Sequence, residues 1–275
     1  MPKKNKLKIG IVGCGAIGSS LAKEIVTNFG SCATLTALYD IRTERAQLLS
    51  RSLTKDTSLS VANLDILIKK SDLVIESASA SAAWEITRKS ISAGRKVMVM
   101  SVGGLVGHPD ALFAKAAKKN TQVYFPSGAV SGIDALKAAG IAGIKKVTLT
   151  TRKHPKAFSG VDYVVKRFKL SDLKQDRVLF AGSADLAVKY FPQNINVAAV
   201  LGLAGIGMHK TQVRIIASPS AKKNIHEVLI ESKAARIFTR TENILHPENP
   251  KTSFLAVLSA IATLKQILQP VKIGT

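Results

Sequence analysis

The chain has 275 residues, 46% hydrophobic and 21% charged, and its 40 Lys+Arg against 18 Asp+Glu give a formal charge of +22. That apolar share supplies a sizeable core and excludes a chain that stays disordered. No apolar run approaches the roughly 20 residues of a membrane span, and two cysteines, Cys14 and Cys32, can build neither a disulfide framework nor, alone, a metal site.

In chain order, the basic start Met1–Lys8 leads into a short, glycine-broken apolar stretch, which reads as a first strand rather than a signal peptide. Residues 8–12 form that strand, Gly13-Cys14-Gly15-Ala16-Ile17-Gly18 follows at once, and Ile17, Leu21 and Ile25 share a helical stripe. A strand over 34–39 ends at Asp40. Helices over 44–53 and 64–70 then precede a strand over 73–75 that ends at Glu76. Further on come a helix over 82–93 with Gly94 as its stop, a strand over 96–100, a helix over 111–118 and a strand over 122–125. This alternation predicts a doubly wound parallel sheet. After Phe125 the pattern changes. Strands over 147–152, 177–181, 212–217, 227–231 and 236–241 are separated by fewer helices, over 133–142, 184–190 and 197–204. The expected fold is thus α/β, with a Rossmann dinucleotide-binding domain over residues 1–125 and an α+β catalytic and oligomerisation domain with a mixed sheet over 126–252. The remainder, 253–275, is a helix expected to pack back on the first domain.

The glycine loop gains weight from its setting between strand and helix. Gly13 permits the tight turn, Gly15 admits a pyrophosphate to the backbone, and Gly18 lets helix and strand close up. The helix N-terminus then presents uncapped N–H groups to the phosphates, through Ala16 and Ile17 among others. Asp40, 22 residues beyond Gly18, is placed to take the ribose hydroxyls. Its charge favours NAD, while Arg42 two residues on leaves NADP tolerated. Ser77 and Ala78 follow the 73–75 strand at the sheet edge where ligands bind, next to the nicotinamide ribose; the alternative is an ordinary turn with Ser81 as a helix cap.

The charge raises nucleic acid as a partner, but the distribution argues against specific binding. Residues 1–125 carry 18 basic and 9 acidic side chains, residues 126–275 carry 22 and 9, and no basic run exceeds two residues. Aromatic side chains are 5% and are not interleaved with the basic ones as a stacking platform needs. Of five histidines, His226 stands at the entrance to a strand, where spacing alone reads as surface or packing rather than as an acid/base. Asn196 precedes a helix, either as its cap or as a polar anchor. Lys251, Thr252 and Ser253 stand before the last helix, capping it or meeting an anion.

The residues then carry a resemblance. Ile11 to Gly18, Ser101-Val102-Gly103-Gly104-Leu105, Phe125 to Asp134 with its Pro126-Ser127-Gly128-Ala129, Gly182 to Ala199 with its Asn196-Val197-Ala198-Ala199, Asn224 to Val228 with its Asn224-Ile225-His226-Glu227, and 249–256 occur in the order found in the L-aspartate dehydrogenase family, which the chain resembles almost throughout. The resemblance implies a homodimer or larger homo-oligomer, His226 as the catalytic histidine, and Ala129 and Asn196 near the nicotinamide. It further implies oxidation of L-aspartate through iminoaspartate to oxaloacetate and ammonia, or delivery of the imine to NAD biosynthesis. Lys251, Thr252 and Ser253 become candidate ligands for the substrate carboxylates. The sequence departs from the family at Lys233-Ala234-Ala235, at Ile244-Leu245-His246-Pro247 and in its high charge. The alternative is a related dehydrogenase or reductase acting on another amino acid or imine; a cofactor-binding protein without activity is the reading that a plausible acid/base disfavours. No metal and no membrane are expected, and the expected compartment is a reducing cytoplasm.

Overall fold

A computed structural model describes residues 5–107, 109–191, 196–247 and 249–274. The chain divides into two compact units, one running to Pro126 and completed by Val257–Ile273, the other built from Ser127–Ala256.

The first unit holds a parallel sheet of β1 (Leu7–Val12), β2 (Ala33–Tyr39), β3 (Leu73–Glu76), β4 (Lys96–Val99) and β5 (Val123–Tyr124), in the order β2-β1-β3-β4-β5. Helices α1 (Ala16–Thr27), α2 (Thr43–Thr54), α3 (Leu64–Lys70), α4 (Ala80–Ser92) and α5 (Pro109–Lys118) connect the strands. Successive strand residues point to opposite faces, so a strand covered on both sides is apolar throughout. Ile9, Ile11, Leu73, Ile75 and Met98 enter one cluster with Leu21 and Ile25 of α1. Val12, Val74, Val97 and Val99 enter the other with Leu67 of α3, Ile86 of α4 and Leu112 of α5. Each fully buried Ile or Leu contributes about 1.5–3 kcal/mol. Asn63 caps α3, its Oδ1 accepting from the Ile66 N–H at 2.9 Å.

The second unit holds β6 (Ile144–Lys153), β7 (Arg177–Ser183), β8 (Gln212–Ala217), β9 (Asn224–Ser232) and β10 (Arg236–Asn243), ordered β10-β9-β6-β8-β7. Only β6 and β8 run parallel, so the sheet is mixed. Helices α6 (Ile133–Ala142), α7 (Asp162–Val165), α8 (Ala184–Tyr190) and α9 (Asn196–Ala204) complete it. One face of the sheet is buried, with Val147, Leu149, Thr151 and Lys153 of β6 alternating with half-exposed Thr148, Thr150 and Arg152. The β9–β10 turn closes on Ser232 Oγ, which accepts from the N–H groups of Ala234 and Ala235.

Residues 249–253, expected as a cap for the last helix, instead form strand β12 (Asn249–Ser253), paired with β11 (Leu245–His246). So short a ribbon has no periodicity to announce it. The last helix, α10 (Phe254–Leu268), places Ala260 and Leu264 in the first unit's core among Ile9, Leu21 and Ile25.

Candidate active site

In the first unit the glycine loop is a tight fit against its neighbours. Gly13 has φ +91°, where a side chain would be strained, and a Cβ there would meet the Ser77 carbonyl oxygen at 2.5 Å. A Cβ on Gly18 would meet the Gly13 carbonyl oxygen at 1.9 Å, so α1 approaches the loop as only glycine allows. Gly15 is different: its Cβ position has nothing within 4 Å, which leaves open space over the backbone at the start of α1. Gly15 is the N-cap of α1 without a side-chain hydrogen bond, and no acidic residue stands in the first turn. The donors of Ala16 and Ile17 therefore belong to an uncapped helix end of the kind that binds a diphosphate. The Ile17 side chain itself packs on the core.

Asp40 ends β2 beside this loop. Its Oδ2 accepts from the Cys14 N–H at 2.8 Å and its Oδ1 from the Arg42 N–H at 2.9 Å. The carboxylate thus ties the second strand to the glycine turn, and each oxygen keeps a further lone pair for a ribose hydroxyl. Burial, with the Asp40 charge beside it, pushes the Cys14 thiol up to about 12 and keeps it protonated. Ser77 Oγ lies 2.8 Å from the Gly13 carbonyl oxygen and 3.1 Å from that of Val12, donating toward both and fastening the end of β3 to the same turn. Ala78 is exposed at that edge. The N-cap of helix α4 is Ser79; Ser81 lies inside the helix and shares a hydrogen bond with Ser79. Sequence reasoning passed over the role of Glu76. This fully buried carboxylate accepts from the Ala78 N–H at 2.9 Å and the Ser101 N–H at 2.8 Å, joining the turns after β3 and β4. Burial raises its pKa, and the backbone donors oppose the rise.

In the second unit His226 is the third residue of β9 and 4% exposed. The register sets Thr151 of β6 directly opposite, and Thr151 Oγ1 lies 3.0 Å from His226 Nδ1. Lys153, two residues along β6, is on the same face and also buried. Burial, and then the Lys153 charge, lower the His226 pKa to about 3; burial alone lowers that of Lys153 to about 8. The imidazole is consequently neutral at any ordinary pH. In the tautomer whose Nδ1–H donates to Thr151 Oγ1, Nε2 is the basic atom.

In the same unit, Ser253 Oγ donates to Asn243 Oδ1 at 2.6 Å, and Asn243 Nδ2 donates to the Ala129 carbonyl at 3.1 Å. The Ser253 hydroxyl has given its one proton to Asn243, so it is a bracing group for Ala129 before it is a donor to any carboxylate. Thr252 is half-buried, and the side chain of Lys251 lies outside the described residues. Asn196 is exposed and is the first residue of α9; the residues before it, 192–195, lie outside the described ones. Among the described residues no group of three His, Cys, Asp or Glu side chains is placed to hold a metal ion, and no helix is long and apolar enough to cross a membrane. Thr151 and Lys153 were not singled out by sequence reasoning. Thr151 is 75 residues from His226 in the chain, and one lysine does not stand out among 40 basic residues.

Comparison with known proteins agrees with both halves. Residues 134–267 match the model of the C-terminal domain of aspartate dehydrogenase, and residues 13–126 match the NAD-binding domain of homoserine dehydrogenase. The L-aspartate dehydrogenase of Methanosarcina acetivorans is 48% identical over 272 residues, covering 98% of this chain and 100% of that one. That of Methanocaldococcus jannaschii is 37% identical over 276 residues, with the same coverage. The crystal structure of aspartate dehydrogenase from Thermotoga maritima superposes with a TM-score of 0.75 at 26% identity, over 98% of this chain and all of that one. A Rossmann domain and a mixed-sheet domain of this type, matched from end to end by such relatives, make the chain an NAD-binding oxidoreductase that belongs to the L-aspartate dehydrogenase family.

Proposed function

We propose that the chain oxidises L-aspartate with NAD, NADP being tolerated, to iminoaspartate and then to oxaloacetate and ammonia. The observation that carries this reading is His226, a neutral, buried imidazole oriented by Thr151 on the face it shares with Lys153, in a chain 48% identical to an L-aspartate dehydrogenase. Gly13, Gly15 and Gly18, the backbone of Ala16 and Ile17, Asp40, Ser77 and Ala78 would hold the dinucleotide, with Ala129 and Asn196 toward its nicotinamide on the strength of the family resemblance. When bound, the nicotinamide supplies a hydride acceptor for the hydrogen on Cα.

The residues of the chain supply the rest. Hydride loss from Cα requires a neutral amine, and His226 Nε2 takes the surplus ammonium proton. That proton passes to solvent, and as water adds to the imine carbon the freed nitrogen accepts a proton from water and returns it to the departing ammonia. Thr151 holds the ring in the tautomer this needs. Release of the imine before hydration would feed NAD biosynthesis instead. A homo-oligomer in the cytoplasm is part of the same reading, with Lys251 and Thr252 as further candidate carboxylate ligands.

The test is NADH formation at alkaline pH with each common amino acid, on wild type, His226→Ala and His226→Asn. L-Aspartate is expected to be oxidised, with kcat reduced roughly 10²–10⁴-fold in both folded variants and NAD affinity kept. Near wild-type kcat in either variant would overturn the role of His226. Oxidation of another amino acid in place of aspartate would favour the reading as a related dehydrogenase.

A further inference from the structure

We propose that Asn243 is a positioning residue, which fixes the Ser127-Gly128-Ala129 turn beside His226 as the surface on which the nicotinamide ring lies. The placing of the turn rests on register and hydrogen bonds; its ligand rests on the aspartate-oxidising reading. Thr241 of β10 stands directly opposite His226 of β9, as Thr151 of β6 does on the other flank. Asn243 is the next residue of β10 on that inner face, a diagonal neighbour of His226 at roughly 7–8 Å in an antiparallel pair. Side chains of β10 stitch the chain after Pro126 onto this face. Asn243 Nδ2 donates to the Ala129 carbonyl at 3.1 Å, Thr241 Oγ1 lies 3.0 Å from Ser131 Oγ, and Thr239 Oγ1 donates to the Ser131 carbonyl at 3.3 Å.

Asn243 is itself locked. It is 2% exposed, and its Oδ1 accepts from Ser253 Oγ at 2.6 Å, so the amide is held with its nitrogen toward Ala129. A buried amide with oxygen and nitrogen both engaged keeps one orientation. The turn it holds is bare. Gly128 has φ +71°, and its Cβ position has nothing within 4 Å. A planar ring can lie flat on peptide backbone where no Cβ stands, and glycine is the residue that allows such an approach. Hydride transfer needs the reacting atoms about 3–3.5 Å apart, so the ring must lie against the substrate that His226 touches. The turn next to His226 meets that condition, and Asn243 sets where its backbone stands.

The experiment compares wild type, Asn243→Asp and Ser253→Ala in calorimetric titrations with NADH and with ADP-ribose, which lacks the nicotinamide, and in kcat for L-aspartate with NAD. Aspartate has the shape of asparagine but, when ionised, no proton to give the Ala129 carbonyl; alanine at 253 leaves the amide in place and free to turn. The wild type is expected to bind NADH about tenfold or more tighter than ADP-ribose. Asn243→Asp should lose most of that preference while keeping its affinity for ADP-ribose, and its kcat should fall about 10- to 100-fold. Ser253→Ala should lose roughly threefold of the preference. A wild-type preference in folded Asn243→Asp would make the residue a structural brace and overturn the proposal. Should that variant not fold, Ser253→Ala decides, and an unchanged preference there overturns it equally. Equal binding of NADH and ADP-ribose by the wild type would refute the placing of the ring. A preference lost in Asn243→Asp by a chain that oxidises another amino acid in place of L-aspartate would keep the positioning role and reject only the substrate.

Discussion

Replacing His226 with asparagine should change how stability depends on pH. Asparagine is polar and does not titrate. The imidazole does: its pKa is near 6.5 in the unfolded chain and is lowered to about 3 in the folded one by burial and the Lys153 charge. Between those values the unfolded chain binds a proton that the folded chain refuses, so stability is lost as pH falls through the window. Each tenfold difference in proton affinity between the two states corresponds to about 1.4 kcal/mol. From pH 7 to pH 5 the wild type should therefore lose about 2 kcal/mol on account of this residue, rising to roughly 4 kcal/mol by pH 3. Urea unfolding of both proteins at pH 7 and pH 5 isolates the contribution, since every other titrating group is common to both. The stability gap between wild type and His226→Asn should move by about 2 kcal/mol in favour of the variant at pH 5. If the gap is the same at both pH values, the imidazole is not buried in the way described, and its neutrality loses its physical basis.

Lys153→Met should stabilise the protein at pH 7. The lysine pKa is lowered by burial from 10.5 to about 8, so folding works against its charge below pH 8 and that cost fades as pH rises to 10.5; the gain at pH 7 should be roughly 3 kcal/mol in urea unfolding, and no gain would mean the ammonium is well solvated. Asp40→Ser should weaken NAD more than NADP and also lower stability by about 2 kcal/mol, because two backbone donors lose a charged acceptor; an unchanged ratio of the two Michaelis constants would remove Asp40 as the discriminator. Gly18→Ala must displace α1 from the Gly13 carbonyl, which should cost about 1–3 kcal/mol in a thermal melt and at least tenfold in NAD affinity; wild-type behaviour in both would show that the loop relaxes freely.

The first unit was readable because its signals are local. An apolar run, the glycine loop and an acidic residue 22 positions beyond Gly18 lie within 40 residues, and each carries its own stereochemical reason. The mixed character of the second sheet followed from strands with few helices between them. What escaped notice was either brief or distant. The two-residue strand β11 and the four-residue helix α7 are too short for any periodicity. Thr151 meets His226 only through the register of β6 and β9, and Asn243 reaches the carbonyl of Ala129 across 114 residues of chain. Glu76 was visible as the end of a strand. Nothing local, however, says that its carboxylate turns inward to answer two backbone donors rather than outward to water.

On the proposed reading, Asp40 joins cofactor choice to architecture, and that constrains how the protein can evolve. A change from aspartate to a neutral residue is the shortest mutational path toward a phosphorylated dinucleotide, yet it also unfastens Cys14 and Arg42 from the end of β2. A lineage taking that step would lose loop order in the same generation that it relaxed its preference. The exposed side chain of Arg42 offers a path without that penalty, since positive charge gathered around it can meet a 2′-phosphate while Asp40 stays in place. Drift in cofactor use among descendants should accordingly be recorded at the neighbours of Asp40 before it is recorded at Asp40 itself.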